Sequence, residues 1–122
     1  YLISGKMLRD PDFISRPAER IRMWRDPKDN RRTQDLPVVD VPHVLESTWE
    51  ADGKVGYVFA NWKTTAQTVV FSPREYGRPG GSHAFAAYGE SGKRALGKSG
   101  PLPKELTIEI PPLSAMLVEQ TR

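Results

Sequence analysis

The side chains with which this sequence could do chemistry are two histidines, fifteen carboxylates and a scatter of aromatic rings; there is no cysteine. His43 lies in DVPHV and His83 in GGSHAF. Without thiolates or a helical His-Glu pair, neither spacing fits a usual zinc site, and His43 is expected to satisfy backbone groups or to lie at the surface. Hydrolysis of a glycosidic bond needs two carboxyl groups about 5 to 9.5 Å apart. Glu105 and Glu109 share a strand face but stand about 13 Å apart at strand rise. Glu46, Glu50 and Asp52 flank a turn and read as ordinary surface polarity. The serines sit in no nucleophile elbow, and YGRPGGSHAF lacks the lysine and the strand-to-helix context of a phosphate loop. The expectation is therefore no catalytic residue, no metal ligand and no cofactor.

Planar rings can stack on sugar faces, so the aromatic residues Trp24, Trp49, Trp62, Tyr57, Tyr76 and Tyr88 remain as candidates. Tyr57 falls in an apolar strand and reads as core. Trp49, Trp62 and Tyr88 are the candidate carbohydrate contacts. Trp49 and Trp62 bracket one hairpin and are expected as cross-strand partners. Glu50 and Asn61 would supply hydrogen bonds, although Asn before a turn is also a common strand terminator.

The elements that must position these groups follow from composition and periodicity. A chain of 122 residues with 38% hydrophobic and 27% charged residues is sized for one domain, and 11 prolines and 10 glycines call for many turns and short elements. The net charge of +3 is uneven: residues 1–35 hold nine Lys/Arg against six Asp/Glu, leaving nine of each from the totals of 18 and 15 for the remainder. A neutral body and a self-paired basic stretch argue against a nucleic-acid partner. No apolar run approaches the roughly 20 residues that span a bilayer, so no membrane partner is expected.

Residues 1–35 show no sustained periodicity and are broken by proline at 11, 17 and 27, which predicts an extended, irregular lead-in or interdomain linker. Its apolar residues are too many for a free tail. Leu2, Ile3, Met7, Leu8 and Trp24 are expected to form an interdomain surface. Residues 36–122 read as an all-β domain, an antiparallel β-sandwich. VVDV, HVLESTWE and KVGYVFANW are strands, with Asp52-Gly53 closing a hairpin and the last of them central because both its faces are apolar. TAQTVVFS is another strand, and HAFAAYG and KRAL are short edge strands. LTIEI and SAMLVEQ close the chain around Pro111-Pro112.

The final strand reads as a natural domain end, whereas a start at Tyr1 without methionine, in apolar residues, predicts a cut from a longer polypeptide. VLESTWEADGKVGYVFANWKTTAQTVVFS resembles the hairpin, Asn and returning strand of the small all-β domains that follow the catalytic (β/α)8 barrel of many glycoside hydrolases. LTIEIPPLSAMLVEQ is similar to their closing strand pair. YLISGKMLRDP resembles the segment leading from the last barrel helix into that domain in a group of bacterial glycosidase-like proteins. The resemblance implies a non-catalytic accessory β-sandwich that packs against and stabilises the barrel of the same polypeptide. The catalytic carboxylates of such families lie on the barrel, so no position here inherits one. The rival expectation is a carbohydrate-binding module using exposed aromatics.

Overall fold

VGYVF is apolar on both faces, and the strand it predicts is the one around which the molecule is organised. The computed structural model describes residues 5–22, 28, 30–32, 35–76 and 80–122. Among them the strands are β1 (Lys6–Leu8), β2 (Asp12–Ser15), β3 (Ala18–Arg22), β4 (Val38–Pro42), β5 (Val44–Ala51) and β6 (Lys54–Asn61). They continue with β7 (Gln67–Ser72), β8 (Ala84–Gly89), β9 (Gly92–Ala95), β10 (Leu106–Ile110) and β11 (Ala115–Thr121). A six-stranded sheet runs β1-β5-β6-β11-β8-β9, a three-stranded sheet runs β10-β7-β2, and β3 and β4 form a separate ribbon. All the pairings are antiparallel. The fold is an all-β sandwich.

Each inner face contributes every second residue to one core. Val44, Val55, Tyr57, Phe59, Phe85 and Val118 come from the large sheet, and Val69, Phe71, Ile108 and Ile110 from the small one. Phe71 packs its ring against Tyr57 at 5.0 Å, Phe59 at 5.3 Å and Phe13 at 6.4 Å between centroids. The turn between β5 and β6 has positive φ at both Asp52 (51°) and Gly53 (72°). That is the geometry a two-residue hairpin needs to match the strand twist.

Two expectations change. The lead-in contributes β1, β2 and β3, one strand to each of the three sheets. Its strands are only three to five residues long, too short for a period to declare itself, and their partners lie far along the chain. Ala84–Gly89 is not an edge strand, because β11 inserts between β6 and β8 and leaves only β9 on the outside.

Asn61, at the end of β6, is 3% exposed and goes well beyond terminating a strand. Its side-chain amide lies 2.9 Å from Thr65 O, 3.1 Å from Ile110 O and 3.0 Å from Pro111 O, while its Oδ1 accepts from the Lys63 N–H at 2.9 Å. One side chain thus ties the β6–β7 turn to the β10–β11 turn, where Leu113 holds a φ of 50°. Asn61→Ala leaves buried carbonyls without donors and is expected to cost about 3 kcal/mol. That would lower Tm by roughly 10 °C for a domain of this size, measurable by calorimetry. Asn61→Asp, which turns the donor into a further acceptor, is expected to be no better than Asn61→Ala.

Candidate functional site

The three-stranded sheet covers one side of the six-stranded sheet, and among the described residues no second layer lies over the side chains that alternate outward from the larger sheet. On β5 the inward residues are Val44, Glu46, Thr48 and Glu50, and the outward ones are Leu45, Ser47, Trp49 and Ala51. Register carries that division across the sheet. Leu45 lies opposite Ala60, Ser47 opposite Val58 and Trp49 opposite Gly56. Leu117 lies opposite Val58 on one side and Tyr88 on the other, and Met7 lies opposite Trp49 at the β1 edge. The result is a broad face of small and apolar residues in which Met7 is 61% and Leu45 51% exposed.

Polar groups on this face are few and compensated. Glu119 lies mid-sheet, 3.6 Å from Lys54 Nζ, and receives the Tyr88 hydroxyl at 3.4 Å. Lys93 Nζ stands 5.4 Å from the centroid of the Tyr88 ring, a cation–π contact. The Trp49 indole N–H donates to Ser47 Oγ at 2.9 Å, and the absence of a side chain on Gly56 leaves room for the ring across the strand pair.

Of the three candidate carbohydrate contacts, the face brings two together. Trp49 on β5 and Tyr88 on β8 are separated by β6 and β11, and Tyr88 lies two residues along from the position across from Trp49, which together give about 16 Å. Trp62 is elsewhere, beyond the end of β6. Its indole N–H donates to Pro42 O at 2.6 Å, the His43 ring meets it edge-on at 6.1 Å, and Lys63 Nζ lies 4.8 Å from its centroid. Trp49 and Trp62 are therefore not cross-strand partners: the hairpin register sets Trp49 against Gly56 and Val44 against Asn61, one residue short of Trp62. His43 joins the ribbon to the sandwich through Gln67 Oε1 (3.0 Å) and Glu19 Oε1 (3.4 Å). Glu19 also meets Lys63 Nζ at 2.7 Å, a hydrogen bond that holds its carboxyl below the usual range.

The residues expected at an interdomain surface divide. Met7 points outward from the uncovered face. Leu8, opposite Thr48, points inward and packs against the core. Leu2, Ile3 and Trp24 lie outside the described residues. Glu46 is a further correction, since the alternation of β5 turns it to the inner face with the fully buried Thr48 rather than to solvent.

A buried polar network at one end of the core was not foreseen. The Tyr57 hydroxyl donates to Gln120 Oε1 at 2.7 Å and accepts the Arg74 N–H at 2.7 Å; burial drives its pKa up, well above the ordinary tyrosine value. The Gln120 amide donates to Arg74 O at 2.8 Å and approaches His83 Nδ1 at 3.2 Å. Because an amide nitrogen can only donate, His83 Nδ1 accepts and the ring proton sits on Nε2, which is buried without a partner among the described residues. The signal was present in the period: His83 alternates with Phe85 and Ala87, and Gln120 with Val118, all inward. The network binds a side chain of β6 and one of β11 to the Arg74 backbone beyond β7 and to His83 ahead of β8, and it is enclosed.

No protein-family model matches the chain, and neither does any curated protein. Among solved structures it is similar to part of a family 30 subfamily 8 glycoside hydrolase, a xylanase from Clostridium acetobutylicum, with a TM-score of 0.52 and 13% identity over 71% of this chain and 23% of that one. A family 30 endoxylanase from Clostridium papyrosolvens C71 gives a TM-score of 0.45 and 19% identity over 71% and 23%. A family 51 α-L-arabinofuranosidase from Thermotoga petrophila RKU-1 gives 0.42 and 11% over 67% and 20%. The chain thus spans less than a quarter of each of these proteins, and the first likeness concerns the fold.

Tyr57→Phe removes a donor and an acceptor from the enclosed network while keeping the ring. It is expected to cost about 2 kcal/mol, read as a fall in the urea midpoint with an unchanged slope.

Proposed function

We propose that this chain is a non-catalytic accessory β-sandwich domain of a larger glycoside hydrolase-like protein, and that it packs against the catalytic barrel through the outer face of the six-stranded sheet. The observation that carries this reading is the apolar outer face over which the described residues place no second layer, with Leu45 exposed and Trp49, Val58 and Leu117 half-buried. Exposed contiguous apolar surface of this kind marks an interaction site. Five strand spacings of about 4.8 Å by about 20 Å of strand give roughly 500 Å² on this side, or about 1,000 Å² counting both partners, within the range of interdomain contacts. The charge that docking would bury, Glu119, already has Lys54 and Tyr88 as partners, so its burial would leave no uncompensated ion. The similarity in fold to part of a much longer xylanase supports the same assignment.

A second reading rests on the same face. Trp49 and Tyr88, about 16 Å apart on the sheet, could stack on sugar rings of an extended polysaccharide, making the chain a carbohydrate-binding module. The occupants are separated by one experiment that uses the natural absence of cysteine. Val58→Cys and Leu117→Cys place thiols at the centre of the face. In the isolated chain they are expected to label rapidly. In the full gene product the packing reading predicts labelling slowed by about 100-fold or more, with no effect of added xylan or arabinan oligosaccharides. Equal rates in both proteins, or a gene product no longer than this chain, would overturn it. Protection of the isolated chain by a saccharide would establish the carbohydrate reading instead.

A further inference from the structure

The six-stranded sheet is twice as wide as the three-stranded sheet that covers it. β10, one edge of the smaller sheet, faces β6 across the core, so β11, β8 and β9 continue past it for three strand spacings, about 14 Å. Part of this overhang is filled by the chain that joins β9 to β10. Leu96 and Leu102 pack on the core, the Leu96 N–H donates to Phe85 O at 2.9 Å, and Gly100 bridges His83. Further along β8 the filling stops. An open recess of about 470 Å³ has Ala87 and Gly89 of β8 and Met116 of β11 as its floor, Arg94 of β9 as one wall, and Glu109 and Pro111 at the end of β10 as the other. It continues into a smaller cavity of about 240 Å³ that shares Gly89, Pro111 and Met116.

The recess has the shape of a missing strand. A strand beside β10 would lie about 4.8 Å from it and about 10 Å above β11 and β8, and Ala87 and Gly89 leave room beneath it where Phe85 and Val118 fill the space elsewhere. The backbone that would hold such a strand is present, because β10 pairs on one side only, with β7. On its other side no backbone hydrogen bond is made among the described residues. Ile110 O already accepts from Asn61, and Pro111 has no N–H, so the free ladder is short and runs from Leu106 to Glu109. The other edges are guarded: β1 is three residues long, β2 is interrupted by a register shift after Phe13, and β9 carries Lys93 and Arg94. β10 keeps an unbroken register through LTIEI. Its register opposite Ala87 sets Arg94 on the inward face of β9, and neither Arg94 nor Glu109 makes an ion pair or side-chain hydrogen bond among the described residues.

We propose that this recess binds an extended segment of another polypeptide, which adds to β10 as a fourth strand of the small sheet. The segment sets small aliphatic side chains on Ala87, Gly89 and Met116, and carries a basic group for Glu109 and an acidic one for Arg94. Strand addition of this kind takes affinity from main-chain hydrogen bonds and specificity from the alternate side chains. A folded sheet edge is not accepted, because brought up to β10 it would meet the overhanging β8–β9 hairpin, and a second copy of this chain carries the same overhang. The recess is on the inner side of the large sheet, so it is separate from the outer face proposed to meet the catalytic barrel, and its test leaves that reading untouched.

The test is made on the intact chain by NMR, with the capped peptide acetyl-Thr-Val-Lys-Val-Asp-Val-Thr-amide as the probe. Saturable amide shifts are expected at Ala87, Gly89, Arg94, Glu109 and Met116, with a Kd of about 1 mM or below for so short a ladder. Exchange of the β10 amides that face away from β7 is expected to slow about tenfold at saturation. A neutral peptide with Thr in place of Lys and Asp should bind about threefold more weakly. Arg94→Gln and Glu109→Gln, both at exposed positions, should weaken the charged peptide and leave the neutral one unchanged. No saturable shift up to about 5 mM peptide would overturn the proposal, as would shifts centred on Leu45, Trp49 and Leu117 instead. An equal effect of the two substitutions on both peptides, or no effect on either, would also overturn it. Shifts of the same residues with xylotetraose but not with the peptide would overturn it in favour of a sugar site. Binding to the unaltered chain needs no variant and decides the matter even if neither variant folds.

Discussion

Phe71 is where two sheets become one core. Its ring meets Tyr57 and Phe59 from the large sheet and Phe13 from the neighbouring strand of its own sheet, so the central strand β6, the central strand β7 and the edge strand β2 share one aromatic contact. Everything else is arranged around that meeting point. Asn61 fastens the turns at one end of β6, and the hydroxyl of Tyr57 reaches from the same strand into the polar network at the other. Between them β6 is held along its whole length, and the strands beside it, β5 and β11, take their register from it.

The unequal width of the two sheets follows from the same centre. Three strands cover the part of the large sheet nearest Phe71 on one side, and the opposite surface carries mostly small and apolar residues, with Trp49, Tyr88 and the Lys54–Glu119 pair among them. The alternation that buries Tyr57 and Phe59 obliges Gly56, Val58 and Ala60 to be on that other side. A strand apolar on both faces implies two neighbours in depth, and the described residues supply one.

That double-sided pattern was legible in VGYVF before any coordinates, as were the Asp52-Gly53 hairpin and the alternation of Leu106, Ile108 and Ile110. These features are local: strand period and turn chemistry are written within a few residues of each other. What stayed hidden depends on distance along the chain. Met7 pairs with Trp49 and Phe13 with Phe71, and no short window contains both members of either pair. The same limit explains the misplacement of Ala84–Gly89, whose interior position is decided by a strand more than 25 residues later. The inward turn of Glu46 was obscured by its residue type, because a glutamate next to apolar neighbours reads as the solvent side of a strand. Of the three ring residues singled out, Trp49 and Tyr88 share a face through the sheet order, which composition does not encode, and Trp62 lies beyond the end of β6, six residues past the Gly56 that faces Trp49.

The sheet order has a consequence for how the chain reaches this state. β11 is the last strand in sequence and lies between β6 and β8. Until it enters, β1-β5-β6 and β8-β9 are two half-sheets with raw edges at β6 and β8, each able to pair with a neighbouring chain. A fragment ending before Ala115 would hold both edges open permanently. Closing the sheet requires contacts between residues separated by 60 or so positions, such as Val118 with Tyr57, so assembly is set by long loop closures and proceeds slowly. Molecules caught before that insertion are the ones exposed to aggregation.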